Sequence, residues 1–274
     1  MKSKEIVIGG AQFGSKYGIN NKYTYKLSSI NKNLSYLKSK NINCFDTSNL
    51  YKKSNQIIGK LNNDNRNKYY AKFYIDIKKL EVSKDKELYI KKFFNKIFKN
   101  LNTDEIYCLS FHRFNLIINS NQLILKYLLY LKKINKIKKI GVSISNYAEL
   151  NKAINMKHID LIQMPFNILD NRWKDLINNI HKARSNGKIF QVRSIFLQGL
   201  LLTDKKDLWL KANCADNSEI FKWIKKYLRI TKSKNIKNLS IRYVNSIDWI
   251  DSIVIGFNAK QEIISQPIEE KKMI

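Results

Sequence analysis

Short apolar runs recur along the chain: EIVIGG (5–10), INCFDT (42–47), YYAKF (69–73), IYCLSF (106–111), KIGVSI (139–144), IDLIQM (159–164), IFQVRS (189–194) and SIVIGF (252–257). Each has the length of a strand, and there are eight. Helix-like stretches separate them. LSSINKNLSYLKSK (27–40) places Ile30, Leu34 and Leu37 on one face. YIKKFFNKIFKNL (89–101), LILKYLLYLKKI (123–134) and DLINNIHKARSNG (175–187) repeat that spacing, the last ending at Gly187, a suitable C-cap. Alternating strands and helices predict a parallel sheet closed as a (β/α)8 TIM barrel. Between the seventh and eighth runs lie two further helix-like segments, 221–230 and 236–247. The stretch 203–219 before them reads as a long loop. No linker or composition shift divides the chain, so residues 1–274 are expected to form one domain.

A barrel carries its chemistry at the C-terminal ends of its strands. The second run delivers Asp46 and Thr47, with Tyr51 just beyond; the third delivers Lys72 and the fourth His112. Ser143, Gln163, Arg193 with Ser194, and Gly256 close the fifth to eighth. Core packing alone gives no reason for Asp, Lys and His to close three successive strands. As chemistry, the set makes sense. A phenol titrates near ~10 and is a poor acid at neutral pH. A neighbouring ammonium favours the phenolate, and a carboxylate keeps that ammonium charged. Asp46, Lys72 and Tyr51 therefore read as a chain that makes Tyr51 a usable proton donor. His112 beside it would orient a carbonyl oxygen. Other chemistries lack their residues: the first run ends in GGAQFG rather than G-x-G-x-x-G, and there is no P-loop, nucleophile elbow or metal-binding cluster.

Charge changes the picture less than its size suggests. Lys and Arg number 51 against 22 Asp and Glu, a net +29. The Lys residues are scattered over every predicted helix, and Lys, Asn and Ile are abundant together, as an AT-rich genome would encode. KKINKIKK (132–139) is the densest basic stretch and holds no stacking aromatics. Nucleic acid is not expected as the partner; a field that attracts anionic small substrates is. Cys44, Cys108 and Cys214 are odd in number and far apart, so they read as reduced thiols, the first two as core. No apolar run approaches the ~18 residues of a membrane span, and the N-terminal apolar stretch is too short for a signal peptide. A cytoplasmic protein is expected.

In order along the chain, FDTSNLY (45–51), SNQIIGKL (54–61), AKF (71–73), SFHRF (110–114), IGVSISN (140–146), IQMPFNILDNR (162–172) and RSIFLQGLL (193–201) resemble the blocks of the aldo-keto reductase superfamily. AQFGSKYGINN (11–21) resembles the opening of a bacterial branch, and 241–263 its closing cofactor segment. The resemblance implies NAD(P)H-dependent reduction of an aldehyde or ketone on a (β/α)8 barrel, without a dinucleotide-binding glycine fingerprint. It makes Tyr51 the general acid, Lys72 and Asp46 its activating pair, and His112 the residue that orients the carbonyl. It gives Ser143 and Gln163 to the nicotinamide carboxamide. Ser194, Phe196, Gln198 and Gly199 fall along the pyrophosphate, and Gly256, Phe257 and Asn258 around the adenosine phosphate. Gln12, in the opening block, joins the cofactor set.

Several positions depart from the family's pattern. Ile144 stands where many members have Asn. Arg193 takes a place where an aromatic stacks on nicotinamide, which a guanidinium can also do. Lys260 favours a 2′-phosphate and Glu262 disfavours one, so the expected cofactor is NADPH, with NADH the other choice. The chain lacks the N-terminal hairpin and long C-terminal loop that narrow the pocket in many members, so an open site is expected. The substrate reads as a small carbonyl compound, anionic or sugar-derived, and the assembly as a monomer or weak homo-oligomer. The alternative is a nicotinamide-binding regulatory or sensor module without turnover, since a fold does not fix a function. Taken singly the residues have plainer readings: Lys72 a rim lysine, Asp46 a helix cap, Tyr51 one of 15 tyrosines. Trp209, Trp223 and Trp249 read as helix packing and His158 and His181 as surface; for Trp173, just after the sixth run, packing is the first reading and lining of the mouth the second.

Overall fold

The computed structural model describes residues 4–14, 17–19, 30, 36–37, 39–61, 66–119 and 122–256. Its strands are β1 (Glu5–Gly9), β2 (Cys44–Ser48), β3 (Lys68–Phe73), β4 (Ile106–Phe111), β5 (Ile137–Ser143), β6 (Leu161–Pro165), β7 (Ile189–Arg193) and β8 (Ser252–Ile255). Each pairs in parallel with its neighbours in sequence, and β1 pairs with β8, so the sheet closes. This is the (β/α)8 barrel that the alternation predicts. The apolar runs are continuous because each strand is covered on both faces, by helices outside and by opposite strands inside. Among the described residues no helix is long and apolar enough to cross a membrane.

The helices among the described residues are α1 (Ala11–Gly14), α2 (Ser54–Lys60), α3 (Ile77–Glu81), α4 (Lys86–Leu101), α5 (Asn115–Asn119), α6 (Leu123–Lys133), α7 (Tyr147–Ala153), α8 (Ile177–Ser185), α9 (Lys206–Lys211), α10 (Ser218–Ile230) and α11 (Ile236–Ser246). Most of the predicted 27–40 helix lies outside the described residues; within it Ile30 and Leu37 are buried. Helix α4 shows how local sequence sets an element. Ile90, Phe94, Ile97 and Leu101 recur at 3–4 spacing and are buried. The Asp85 carboxylate caps its start by accepting from Leu88 N–H at 2.8 Å, and Asn102, at φ 49°, ends it. Asn146 and Asn235 cap α7 and α11 in the same way, at 2.9 Å each. Gly187, at φ 86°, follows α8.

The stretch 203–219 differs from the predicted loop. It contains α9, whose Leu208 and Trp209 are buried beside Leu200, Leu201 and Ile224 of a small second core. The Trp209 indole donates to the Thr203 carbonyl at 2.8 Å. Short helices of this kind are stabilised by tertiary burial, not by propensity, so six residues escape a periodicity reading. The main core lies between barrel and helices, around Phe73, Phe94, Phe111 and Phe190. A separate cluster of Val7, Cys44, Tyr70, Cys108 and Leu161 fills the barrel interior. Cys44 and Cys108 are thus core, and burial pushes each thiol up to about 12. At the lower rim Lys68 pairs with Glu5 at 2.9 Å, and the Tyr70 hydroxyl donates to the same carboxylate.

Candidate active site

Side chains alternate along each strand, so in a barrel every second residue points inward. On β2 that set is Cys44, Asp46 and Ser48, and on β3 it ends with Lys72. Parallel pairing aligns Ser48 with Lys72, and Lys72 with Ser110. The result is an upper interior layer of polar groups over the apolar cluster. Lys72 and Asp46, 2% and 3% exposed, form a salt bridge in which the ammonium meets both carboxylate oxygens. The Lys72 Nζ lies 5.3 Å from the centre of the Tyr51 ring. The His112 ring meets Tyr51 edge to face, with centroids 5.5 Å apart and planes at 86°. The four residues expected to form the catalytic set are therefore brought together from two strands and the loops that follow β2 and β4.

Tyr51 is placed by its loop. Thr47 Oγ1 donates to Asn55 Oδ1 at 2.7 Å, and Ser54 Oγ donates to the Gly10 carbonyl at 2.8 Å. Asn49 clamps the chain beside Tyr74, its amide nitrogen donating to the Tyr74 carbonyl and its oxygen accepting from the Tyr74 N–H, both at 2.9 Å. The glycines of GGAQFG serve this packing. A Cβ on Gly14 would sit 2.5 Å from the Tyr51 carbonyl oxygen, and one on Gly10 would sit 2.8 Å from that of Asp46.

The electrostatics correct one expectation. Tyr51 is driven well above the usual phenol range, first by burial and then by the Asp46 carboxylate. The cation opposing this is Arg193, not Lys72. Burial also pushes Lys72 below the ordinary lysine range, with Asp46 opposing. His112 is pushed down to about 3 by burial, and then by Lys72, Arg193 and Arg113. The site therefore holds a neutral phenol and a neutral imidazole at neutral pH.

A hydrogen-bonded chain crosses the barrel behind this group. The Gln163 amide nitrogen donates to Asp46 Oδ1 and to Gln191 Oε1, both at 2.7 Å, and Gln191 Nε2 donates to Ser252 Oγ at 3.1 Å. Gln191 and Ser252 escaped sequence reasoning; their signal was a polar residue inside an apolar run. Ser48 and Tyr17 were also missed. Tyr17 lies within the electrostatic reach of Tyr51, Arg193, Lys72 and Asp46.

The cofactor candidates divide. Ser143 and Gln163 pair across β5 and β6 and are buried at the mouth. The Gln163 N–H₂ is spent on Asp46 and Gln191, while its Oε1 is buried without a hydrogen-bond partner. Gln12 Oε1 is likewise buried and unpartnered, and a Cβ on Gly256 would stand 2.7 Å from it. The Arg193 guanidinium reaches the Ile144 carbonyl at 3.2 Å and Ser194 Oγ at 3.5 Å. The Ile144 side chain, in place of Asn, is buried in the core. After β7 the backbone takes left-handed values at Ser194 (φ 63°), Leu197 (48°), Gln198 (55°) and Gly199 (95°). Such a run, rare outside glycine, is backbone strain concentrated where Phe196 and its neighbours were expected to follow the cofactor. The Ile19 N–H donates to the Gln198 carbonyl at 2.9 Å, joining the loops after β1 and β7. Phe257, Asn258, Lys260 and Glu262 lie outside the described residues. Trp173 packs in the core rather than lining the mouth, the first of its two readings: it is 1% exposed, its indole donating to the Pro165 carbonyl at 3.0 Å.

Residues 5–265 match the model of the aldo/keto reductase family. No curated protein matches the chain. Among solved structures, the aldo-keto reductase AKR11C1 from Bacillus halodurans in its holo form is similar at 16% identity and a TM-score of 0.73, over 100% of this chain and 89% of that one. The glycerol dehydrogenase AKR11B4 from Gluconobacter oxydans is similar at 16% identity and 0.71, over 96% and 85%. MGS-M4, an aldo-keto reductase from a Medee basin deep-sea metagenome library, is similar at 16% and 0.67, over 100% and 88%. At such identity these likenesses speak to the fold, whereas the family model runs from β1 past the end of β8. The chain belongs to the aldo/keto reductase family of oxidoreductases.

Proposed function

We propose that the protein reduces the carbonyl group of a small aldehyde or ketone to an alcohol, with NADPH as hydride donor and NADH as the second choice. The observation that carries this reading is the buried Asp46–Lys72 pair beneath the Tyr51 ring, with the His112 ring at its edge. Tyr51 is the proton donor. Its phenol stays protonated at neutral pH and gives its proton to the oxygen as negative charge develops there. The Arg193 cation favours the phenolate that remains, and water returns the proton. His112 orients the carbonyl oxygen. The Asp46–Lys72 pair, tied through Gln163 to Gln191, holds that geometry at low conformational freedom.

When bound, NAD(P)H supplies a hydride to the carbonyl carbon. The residues present fit such a group. Two buried acceptors, Gln163 Oε1 and Gln12 Oε1, have no partner among the described residues, and an unpartnered buried acceptor is costly unless something donates to it. Gln163 and Ser143 would hold the nicotinamide carboxamide, whose N–H₂ is a donor. Arg193, bonded to a backbone carbonyl and a serine hydroxyl among the described residues, would lie against the ring. Ser194, Phe196, Gln198, Gly199, Gly256, Phe257 and Asn258 would carry the pyrophosphate and adenosine phosphate, and Lys260 and Glu262 would set the preference between the two cofactors.

The substrate is read as anionic or sugar-derived, supported by the net charge of +29 and by Arg193 beside the catalytic group. The protein is read as one cytoplasmic domain, a monomer or weak homo-oligomer. Tyr51→Phe tests the reading. NADPH binding, followed by nicotinamide fluorescence, should be retained, and reduction of a panel of aldehydes and ketones should fall by roughly 10²–10⁴-fold. Equal turnover by both proteins would remove Tyr51 from the mechanism. Cofactor binding without turnover in the unsubstituted protein would instead identify a nicotinamide sensor.

A further inference from the structure

Ser48 closes β2 and is fully buried, two residues beyond Asp46 and three before Tyr51. Its hydroxyl has two neighbours. The Leu50 N–H donates to Oγ at 3.1 Å, and His112 Nδ1 lies 2.6 Å away. The imidazole is otherwise fixed by its backbone, whose N–H donates to the Phe73 carbonyl at 2.9 Å, and by the edge-to-face contact with Tyr51. Among the described residues nothing bonds to His112 Nε2.

A count of protons decides what this contact is. The Ser48 hydroxyl has one proton to give, and it already accepts from Leu50. If Nδ1 were protonated, it would donate to Oγ as a second N–H, and the hydroxyl proton would be left in a fully buried place with no acceptor. If Nδ1 carries its lone pair, the hydroxyl donates to it, Leu50 N–H is accepted, and every polar atom is satisfied. The ring proton then sits on Nε2. The charges around the ring agree: Lys72, Arg193 and Arg113 all disfavour a second proton, so the ring is neutral and its tautomer is a real choice.

We infer that Ser48 is a positioning residue that locks His112 as the Nε2–H tautomer, turning its free nitrogen into a donor for the substrate oxygen. This rests on the role proposed above for His112. The opposite tautomer would present a lone pair to a carbonyl oxygen and repel it.

The test reads the tautomer directly. In protein labelled with ¹⁵N-histidine, long-range proton–nitrogen spectra distinguish a protonated ring nitrogen from an unprotonated one. The chain has only 3 histidines, and His112→Gln identifies the signal. In the unsubstituted protein Nδ1 should be unprotonated and Nε2 protonated. Ser48→Ala should give a mixture or the reverse form, and Ser48→Thr, which keeps the hydroxyl, should restore the original. In turnover, Ser48→Ala should lower kcat roughly 10- to 100-fold with nicotinamide affinity unchanged, and Ser48→Thr should recover most of it. A protonated Nδ1 in the unsubstituted protein, or an unaltered tautomer in Ser48→Ala, overturns the inference. If Ser48→Ala does not fold, the spectra of the unsubstituted protein and of Ser48→Thr decide. The spectra need no substrate, so a lack of carbonyl reduction in every variant strikes the proposed function, not the tautomer.

Discussion

Replacing Lys72 by Met keeps the volume of the side chain and removes its charge. Asp46 is then a buried carboxylate with the Gln163 amide, at 2.7 Å, as its remaining partner. Removing one member of a buried ion pair costs about 3–5 kcal/mol, because the charge left behind has no compensation. Unfolding entropy near ~2.1 cal/mol/K per residue over 274 residues gives roughly 0.6 kcal/mol per degree, so Tm should fall by about 5–9 °C. Urea unfolding followed by tryptophan fluorescence, at about pH 7.5, measures the deficit. Adding Asp46→Asn removes the stranded charge, so the double variant should be more stable than Lys72→Met alone. The reasoning is refuted if Lys72→Met lies within about 1 kcal/mol of the parent at neutral pH, or if the double variant is the less stable.

Gly14→Ala should destabilise by about 1–3 kcal/mol and lower turnover, because its Cβ meets the Tyr51 carbonyl at 2.5 Å. Gly187→Ala, at φ 86° with no heavy atom within 4 Å, should cost about 1 kcal/mol and leave turnover intact; equal effects on turnover would show that Gly14 does not place Tyr51. His112, held down to about 3, binds fewer protons folded than unfolded. Its contribution to stability is present above the unfolded pKa of ~6.5 and lost as pH falls from there toward 3. His112→Gln should therefore show a shallower loss of stability over that interval in urea titrations, and an unchanged pH slope would contradict a neutral buried imidazole.

The eight strands were legible because a strand buried on both faces must be apolar throughout, and that signature is local. The longer helices were legible for the same reason: Ile90, Phe94, Ile97 and Leu101 declare one face of α4 without reference to any other element. Helix α9 was not legible, since Leu208 and Trp209 are buried by a second core drawn from segments far along the chain. Trp173 was left with two readings because a residue just past a strand end can turn to the mouth or to the core; it is buried, with its indole on the Pro165 carbonyl.

In the site, Asp46, Lys72, Tyr51 and His112 could be chosen from the chain, since charged and polar residues that close strands stand out against their apolar runs. The sign of the shift on Tyr51 could not. It depends on how deeply the ring is buried and on the charges around it, with the Asp46 carboxylate raising the phenol and Arg193 opposing. Sequence alone determined the barrel, its strand ends and the residues that crowd its mouth, because periodicity and strand-end chemistry are written in consecutive positions. Tertiary structure alone decided which polar atoms are satisfied and which remain to be met: Gln163 spends its N–H₂ on Asp46 and Gln191, and the Ser48 hydroxyl meets His112 Nδ1. Those choices are set by closure and register, which bring residues up to 117 positions apart within hydrogen-bonding distance.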